Sequence, residues 1–257
     1  MSKPTRDKEL TNQAVINRVG FDSLLEDIFG LNIRAIKTIG VLFKAPSKYF
    51  KAAKAPDWVN QFTPSFRVWF GLMALLAALK FLYTSDDNAM VQAYVGLMEQ
   101  LKTDLNSAHP DSPKDFDTLT AGKDLLKWIF VYFPFIYIPI MALLAVIYRA
   151  WTENLTYVTR LRFIFGTVIP SSVFTVFITI ATVFLSASAF SFVAIVSYGA
   201  MVFLDFTTAF RGPYAHVKST ASRIGRSLAL TATLLFVYVL TALIAMMPAF
   251  FMVLKNI

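Results

Sequence analysis

The sequence contains no cysteine and only two histidines, and charged residues fill just 16% of its 257 positions, against about 25% in an ordinary soluble domain. The first absence excludes disulfides, thiolate zinc sites, iron–sulfur clusters and a cysteine nucleophile. The second leaves little from which an imidazole-ligated metal or haem is built. His109 and His216 are moreover expected on opposite sides of a membrane, so they share neither a metal nor a proton. There is no Gly-x-Ser-x-Gly elbow and no glycine-rich phosphate loop. Asp115 and Asp117 stand in an acidic stretch and read as a solvated face before they read as a cation site. Neither an enzyme nor a cofactor is expected.

Apolar residues are plentiful: 56% of the chain is hydrophobic, with 25 Phe, and the mean hydropathy is +0.58 even though the net charge is +8. Greasy and basic residues must therefore be segregated. A helix crosses the hydrocarbon with about 20 mostly apolar residues, and five such runs stand out, at about 66–83, 128–148, 163–186, 190–210 and 228–254. Trp128 to Tyr148 and Phe163 to Ser186 carry no charge, and Phe190 to Phe210 carries only Asp205. Ala187, Ser188 and Ala189 leave room for nothing longer than a tight helical hairpin between the third and fourth runs. The first run holds Arg67 and Lys80, whose long stems carry their charges to opposite headgroup layers. The predicted fold is an all-α integral membrane protein of five transmembrane helices. Its membrane domain is 66–257, behind a cytoplasmic N-terminal segment, 1–65. That segment shows no apolar signal core, so the first span is expected to target the chain.

Positively charged short loops stay on the cytoplasmic side. Eighteen of the 24 Lys and Arg lie before the first span up to Arg67, between spans two and three, or between spans four and five. The loop 84–127 instead collects acids, eight of them between Thr84 and Asp124. The N-terminus is thus expected in the cytoplasm and the C-terminus outside it. Two amphipathic helices are expected beyond the spans. One covers Ala89 to Ala108 in the exoplasmic loop, with Met90, Tyr94, Leu97, Met98, Leu101 and Leu105 on one face. The other lies in Leu31 to Lys54, where Ile33, Ile36, Ile39, Leu42 and Phe43 oppose a basic face, as in helices that rest in the headgroup plane. Lys44, Lys48, Lys51 and Lys54 there, with Lys218, Arg223 and Arg226 between spans four and five, are the candidate contacts with anionic lipid. Nucleic acid does not fit, because the basic charge hugs the spans and no recognition motif accompanies it.

Asp205 is the one acid inside a span, and such a residue costs roughly 2.5–3.5 kcal/mol to insert at a helix centre. An ion pair with Arg149, Arg162 or Arg211 is the first expectation and a transport site the second. Thr167, Ser171, Thr175, Thr179, Thr182 and Ser186 recur at steps of three and four, a hydroxyl stripe that serves helix packing or, alternatively, lines a polar path. Pro134, Pro139, Pro170 and Pro248 can kink their spans.

The stretches Thr38-Ile-Gly-Val-Leu-Phe-Lys-Ala-Pro-Ser-Lys-Tyr-Phe-Lys, Phe62-Thr-Pro-Ser-Phe-Arg and Phe210-Arg-Gly-Pro-Tyr resemble the Yip-type superfamily of five-span membrane proteins, with its many bacterial relatives, over about residues 36–254. The resemblance implies membrane organisation or an accessory role without catalysis, as eukaryotic members bind small GTPases in vesicle traffic, and it transfers no functional residue. It also implies a bacterial cytoplasmic membrane. The expected function is that of an accessory, scaffolding or assembly subunit packed against other membrane proteins. The alternative is a small transporter or lipid-handling protein that uses Asp205 and the hydroxyl stripe.

Overall fold

The computed structural model of the protein describes residues 33–255 apart from 56–57, 83–85, 87, 113, 152–154 and 183–186, and the described chain is helical with no strand. Its helices are α1 (Ile33–Lys44), α2 (Pro46–Ala52), α3 (Ser65–Leu82), α4 (Ala89–Ala108), α5 (Thr118–Ile147), α6 (Tyr157–Thr182), α7 (Ala187–Arg211) and α8 (Thr220–Leu254). Four of them, α5, α6, α7 and α8, are long and apolar enough to cross a membrane, while the apolar stretch of α3, Ser65–Leu79, is shorter. The chain thus has the makeup of an integral membrane protein.

Helix starts follow local capping and not the edge of the apolar run. Asp117 accepts a hydrogen bond from the Leu119 N–H at 3.0 Å and from the Thr120 hydroxyl at 2.5 Å, so α5 begins ten residues ahead of Trp128. Ser219 caps α8 in the same manner through the Ser222 N–H, and Asn88 caps α4 through the Met90 N–H at 2.9 Å. Asp115 meets Lys102 at 2.5 Å, which holds its carboxyl below the usual carboxylate range. Both members of the Asp115/Asp117 pair therefore have local partners. Pro134, Pro139, Pro170 and Pro248 all lie inside continuous helices.

The helices gather round α6, whose apolar window is 67% buried, whereas that of α7 is only 11% buried. Packed against α6 are α1, α3, α5 and α7, and α8 runs along α5. Trp69 of α3 stacks on Tyr137 of α5 at 4.9 Å and leans on Phe165 of α6 at 5.3 Å. At the acidic end α4 folds back on α5. A Cβ on Gly122 would lie 2.8 Å from the Val95 backbone nitrogen, so only glycine admits this approach. The buried residues of α4 are Val91, Val95 and Met98, while Leu97, expected on the inner face, is 37% exposed.

At the opposite, basic end, α1 and α2 close the bundle in an aromatic collar. Tyr49 meets Phe50, Trp58 and Phe62 edge-on, with centroids 5.3, 6.1 and 5.4 Å away. Burial raises the Tyr49 phenol above its ordinary pKa, against the smaller pull of Ser65 and Arg162. Phe50 packs on Phe163 and fills the space beside Gly212, where a Cβ would fall 2.4 Å from its ring. The backbone N–H of Thr63 donates to the buried Thr38 hydroxyl at 2.9 Å. Against the bundle α1 buries Ala35, Thr38 and Leu42, whereas Ile33 and Ile36 point outward, 52% and 60% exposed. The apolar residues of α1 therefore serve two surfaces.

Candidate functional site

Between the collar and α4 the six helices α3–α8 leave a chamber of about 220 Å³. Asp205 enters it from α7, together with Tyr198 and Met201. Ser171, Ser172 and Thr175 face it from α6, and Thr231 and Tyr238 from α8. Phe133, Pro134 and Tyr137 of α5, Trp69 of α3 and Tyr94 of α4 complete the wall. Burial raises the Tyr94 phenol above its ordinary pKa. From Thr231 to Ala242 the lining of α8 extends about 16 Å at 1.5 Å per residue, so the chamber is long and slender.

The polar groups in this space are unequally satisfied. The Ser171 and Ser172 hydroxyls donate to the Val168 carbonyl at 2.9 and 2.7 Å, and Thr175 donates to the Ser171 carbonyl at 2.9 Å. Thr175 also lies 3.4 Å from the Met201 sulfur. Ser171 is near enough to Asp205 for the two side chains to interact. Asp205 Oδ1 and Thr231 Oγ1 nevertheless lie buried without a hydrogen-bond partner. A buried polar atom left unmet costs about 1–3 kcal/mol, more if it is charged. No Lys, Arg or His is among the described residues that line the chamber.

The arginines expected near Asp205 are engaged elsewhere. Arg162 donates to the Ala53 carbonyl at 3.0 Å and lies 4.2 Å over the Trp58 ring. Arg211 donates to the Lys44 carbonyl at 2.8 Å and reaches the Phe43 carbonyl at 3.5 Å, and Arg149 is exposed beyond the end of α5. Guanidinium groups thus tie the collar to the bundle. The hydroxyl stripe divides. Ser171 and Thr175 line the chamber, whereas Thr167 donates to the Phe163 carbonyl at 2.9 Å and Thr179 is buried away from it. Ser186 and the side chain of Thr182 lie outside the described residues.

Of the candidate lipid contacts, Lys44, Lys48, Lys51, Lys54, Lys218 and Arg226 are exposed at the basic end. Arg223 is half-buried instead, donating to the Phe210 carbonyl at 2.7 Å and lying 3.8 Å over that ring. Sequence reasoning missed Tyr137, Tyr198, Thr231 and Tyr238. Tyr198 lies seven residues before Asp205 and Thr231 seven before Tyr238, each pair on one helical face, but no spacing along the chain connects one helix with the next.

No family model matches this chain, and no curated protein or solved structure shows significant similarity to it.

Proposed function

We propose that this chain is a non-catalytic, five-span integral membrane protein that holds a small solute in its intramembrane chamber and moves it across or within the bilayer. One observation carries this reading: a carboxylate oxygen, Asp205 Oδ1, is buried in a cavity of about 220 Å³ with no hydrogen-bond partner and with no basic side chain among the described residues of the wall. A protein designed only for packing gains nothing from such a group, because an apolar side chain of the same shape would stabilise it more. At 18 residues and 1.5 Å per residue, α3 reaches about 27 Å and serves as the first span, within the tolerance of a roughly 30 Å hydrocarbon core. With five spans, the basic end faces the cytoplasm of a bacterial inner membrane. Its exposed lysines meet anionic headgroups there, each gaining about 1 kcal/mol.

The test compares small molecules retained by native and Asp205→Asn protein after gentle detergent extraction, identified by mass. The native protein should carry a solute that the variant loses while still inserting in the membrane. Equal retention by both removes the chamber from the function.

A second reading, an accessory subunit of the kind the Yip-type resemblance implies, draws on a groove beside α1. Phe43, Phe174, Phe177 and Phe203 line this apolar surface, and Phe43, Phe177 and Phe203 are exposed on the outside of the bundle. Under that reading a stoichiometric membrane protein partner co-purifies, and a strictly solitary, active protein counts against it.

A further inference from the structure

We infer that the chamber selects a slender primary ammonium ion with an apolar body, an arylalkyl or short alkyl amine in its protonated form. The inference rests on the reading of the chamber as a solute site and adds the chemical class of that solute. Charge is the first argument. Among the described lining residues Asp205 is the one carboxylic acid, its Oδ1 is unmet, and none is basic, so a cation is the counter-charge that these residues lack.

Hydrogen-bond polarity is the second argument, and it is independent of the carboxylate. Ser172 directs its single proton to the Val168 carbonyl and Thr175 directs its own to the Ser171 carbonyl, while the Ser171 proton is shared between the Val168 carbonyl and Asp205. A hydroxyl whose proton is spent offers only lone pairs to a visitor. On α6 the Ser172 and Thr175 hydroxyls therefore present acceptors, which suit N–H donors better than a carboxylate or phosphate, while the unmet Thr231 hydroxyl on α8 can donate or accept. An ammonium with three N–H groups satisfies them, whereas a quaternary ammonium brings charge without donors.

The aromatic wall is the third. Rings of Trp69, Phe133, Tyr137, Tyr198 and Tyr238 line the space, and ring faces attract cations while accepting an apolar body. Size completes the match. An apolar cavity of about 150 Å³ takes a benzene, so 220 Å³ drawn out along α8 accommodates one ring with a short amine tail. Tyr198 on α7 and Leu235 on α8 line the chamber and are also 54% and 42% exposed on the outside of the bundle. The wall there is one side chain thick, and an amphiphile can enter from the apolar surroundings.

The test uses the full-length protein in lipid nanodiscs, with empty nanodiscs subtracted, and isothermal titration of four probes of similar size: phenethylammonium, its N,N,N-trimethyl derivative, 2-phenylethanol and 3-phenylpropionate. Phenethylammonium should bind saturably, at one site, and at least roughly tenfold more tightly than each of the other three. Asp205→Asn should weaken it by about 30-fold. If 2-phenylethanol or 3-phenylpropionate binds as well as the amine, the ammonium class is overturned while the chamber remains a solute site. A trimethyl derivative that binds equally overturns the role given to the hydroxyl acceptors. Asp205→Asn binding unchanged locates the site elsewhere and defeats both readings. The wild-type series decides the class even where the variant fails to insert. If no probe binds saturably, the inference falls, and the retained-solute comparison judges the chamber separately.

Discussion

Asp205 and Gly212 stand seven residues apart at one end of α7, about 10 Å along the helix, yet the regions around them follow opposite rules. In the collar, space is filled until a single hydrogen-to-methyl change has nowhere to go, and the buried Thr63 N–H meets the Thr38 hydroxyl, although the Tyr49 hydroxyl and the Trp58 Nε1 find no partner there. The chamber keeps open volume and leaves Asp205 Oδ1 and Thr231 Oγ1 unmet. Dense packing and completed hydrogen bonds are what stability rewards. Open volume beside a region packed to that density marks where structure has been kept open for something that arrives.

The contrast can be broken most sharply at Gly212. Its substitution Gly212→Ala places a Cβ 2.4 Å from the Phe50 ring and 2.6 Å from the Thr208 carbonyl oxygen, and should lower the unfolding free energy by about 3 kcal/mol. A thermal melt in detergent followed by tryptophan fluorescence measures this, and an unchanged midpoint means the collar is pliable. Thr38→Val keeps the shape but removes the acceptor of the Thr63 N–H, for an expected loss of about 2 kcal/mol by the same melt.

In the chamber the sign reverses. Thr231→Val removes a buried hydroxyl that lacks a partner, and should leave stability unchanged or raise it by up to about 1 kcal/mol. A clear loss would reveal a partner for that oxygen and weaken the contrast. The smallest effect lies at the acidic end, where Asp117 is held below its ordinary pKa of 3.8 chiefly by the Thr120 hydroxyl, with help from the Leu119 N–H. Its contribution is present above that ordinary value and disappears as pH falls through the lowered one. Acid titration of the melting midpoint should show a slight additional decline there, absent in Asp117→Asn.

The sequence discloses the long helices because charge-free runs leave few alternatives, and α5 and α6 contain the runs from Trp128 and Phe163. Capping decided the true starts of α5 and α8, and it depends on single side chains, Asp117 and Ser219, that periodicity does not weigh. Asp205 was legible as an anomaly, being one acid in a greasy run. Its surroundings were not, since Tyr137, Tyr198 and Tyr238 converge only after three helices pack. Arg162 and Arg211 looked like counter-ions for the same reason: sequence distance from a span end cannot tell a carboxylate from the Ala53 or Lys44 carbonyl as the nearer acceptor. The hydroxyl stripe had the right spacing but two destinations, as Thr167 turns toward its own backbone at a fully buried position while Ser171 and Thr175 border open space.

The seat of Phe50 has an implication for biosynthesis. Its ring rests against Gly166 and Gly212, and the second of these leaves the ribosome 162 residues after Phe50 itself. At 5–20 residues per second the wait is roughly 8–30 s, during which α2 has been made but its berth is incomplete. The docking of α2 is therefore completed late, and in a nascent chain halted before α7 it would be held by α6, with the Gly212 side of the Phe50 seat still missing.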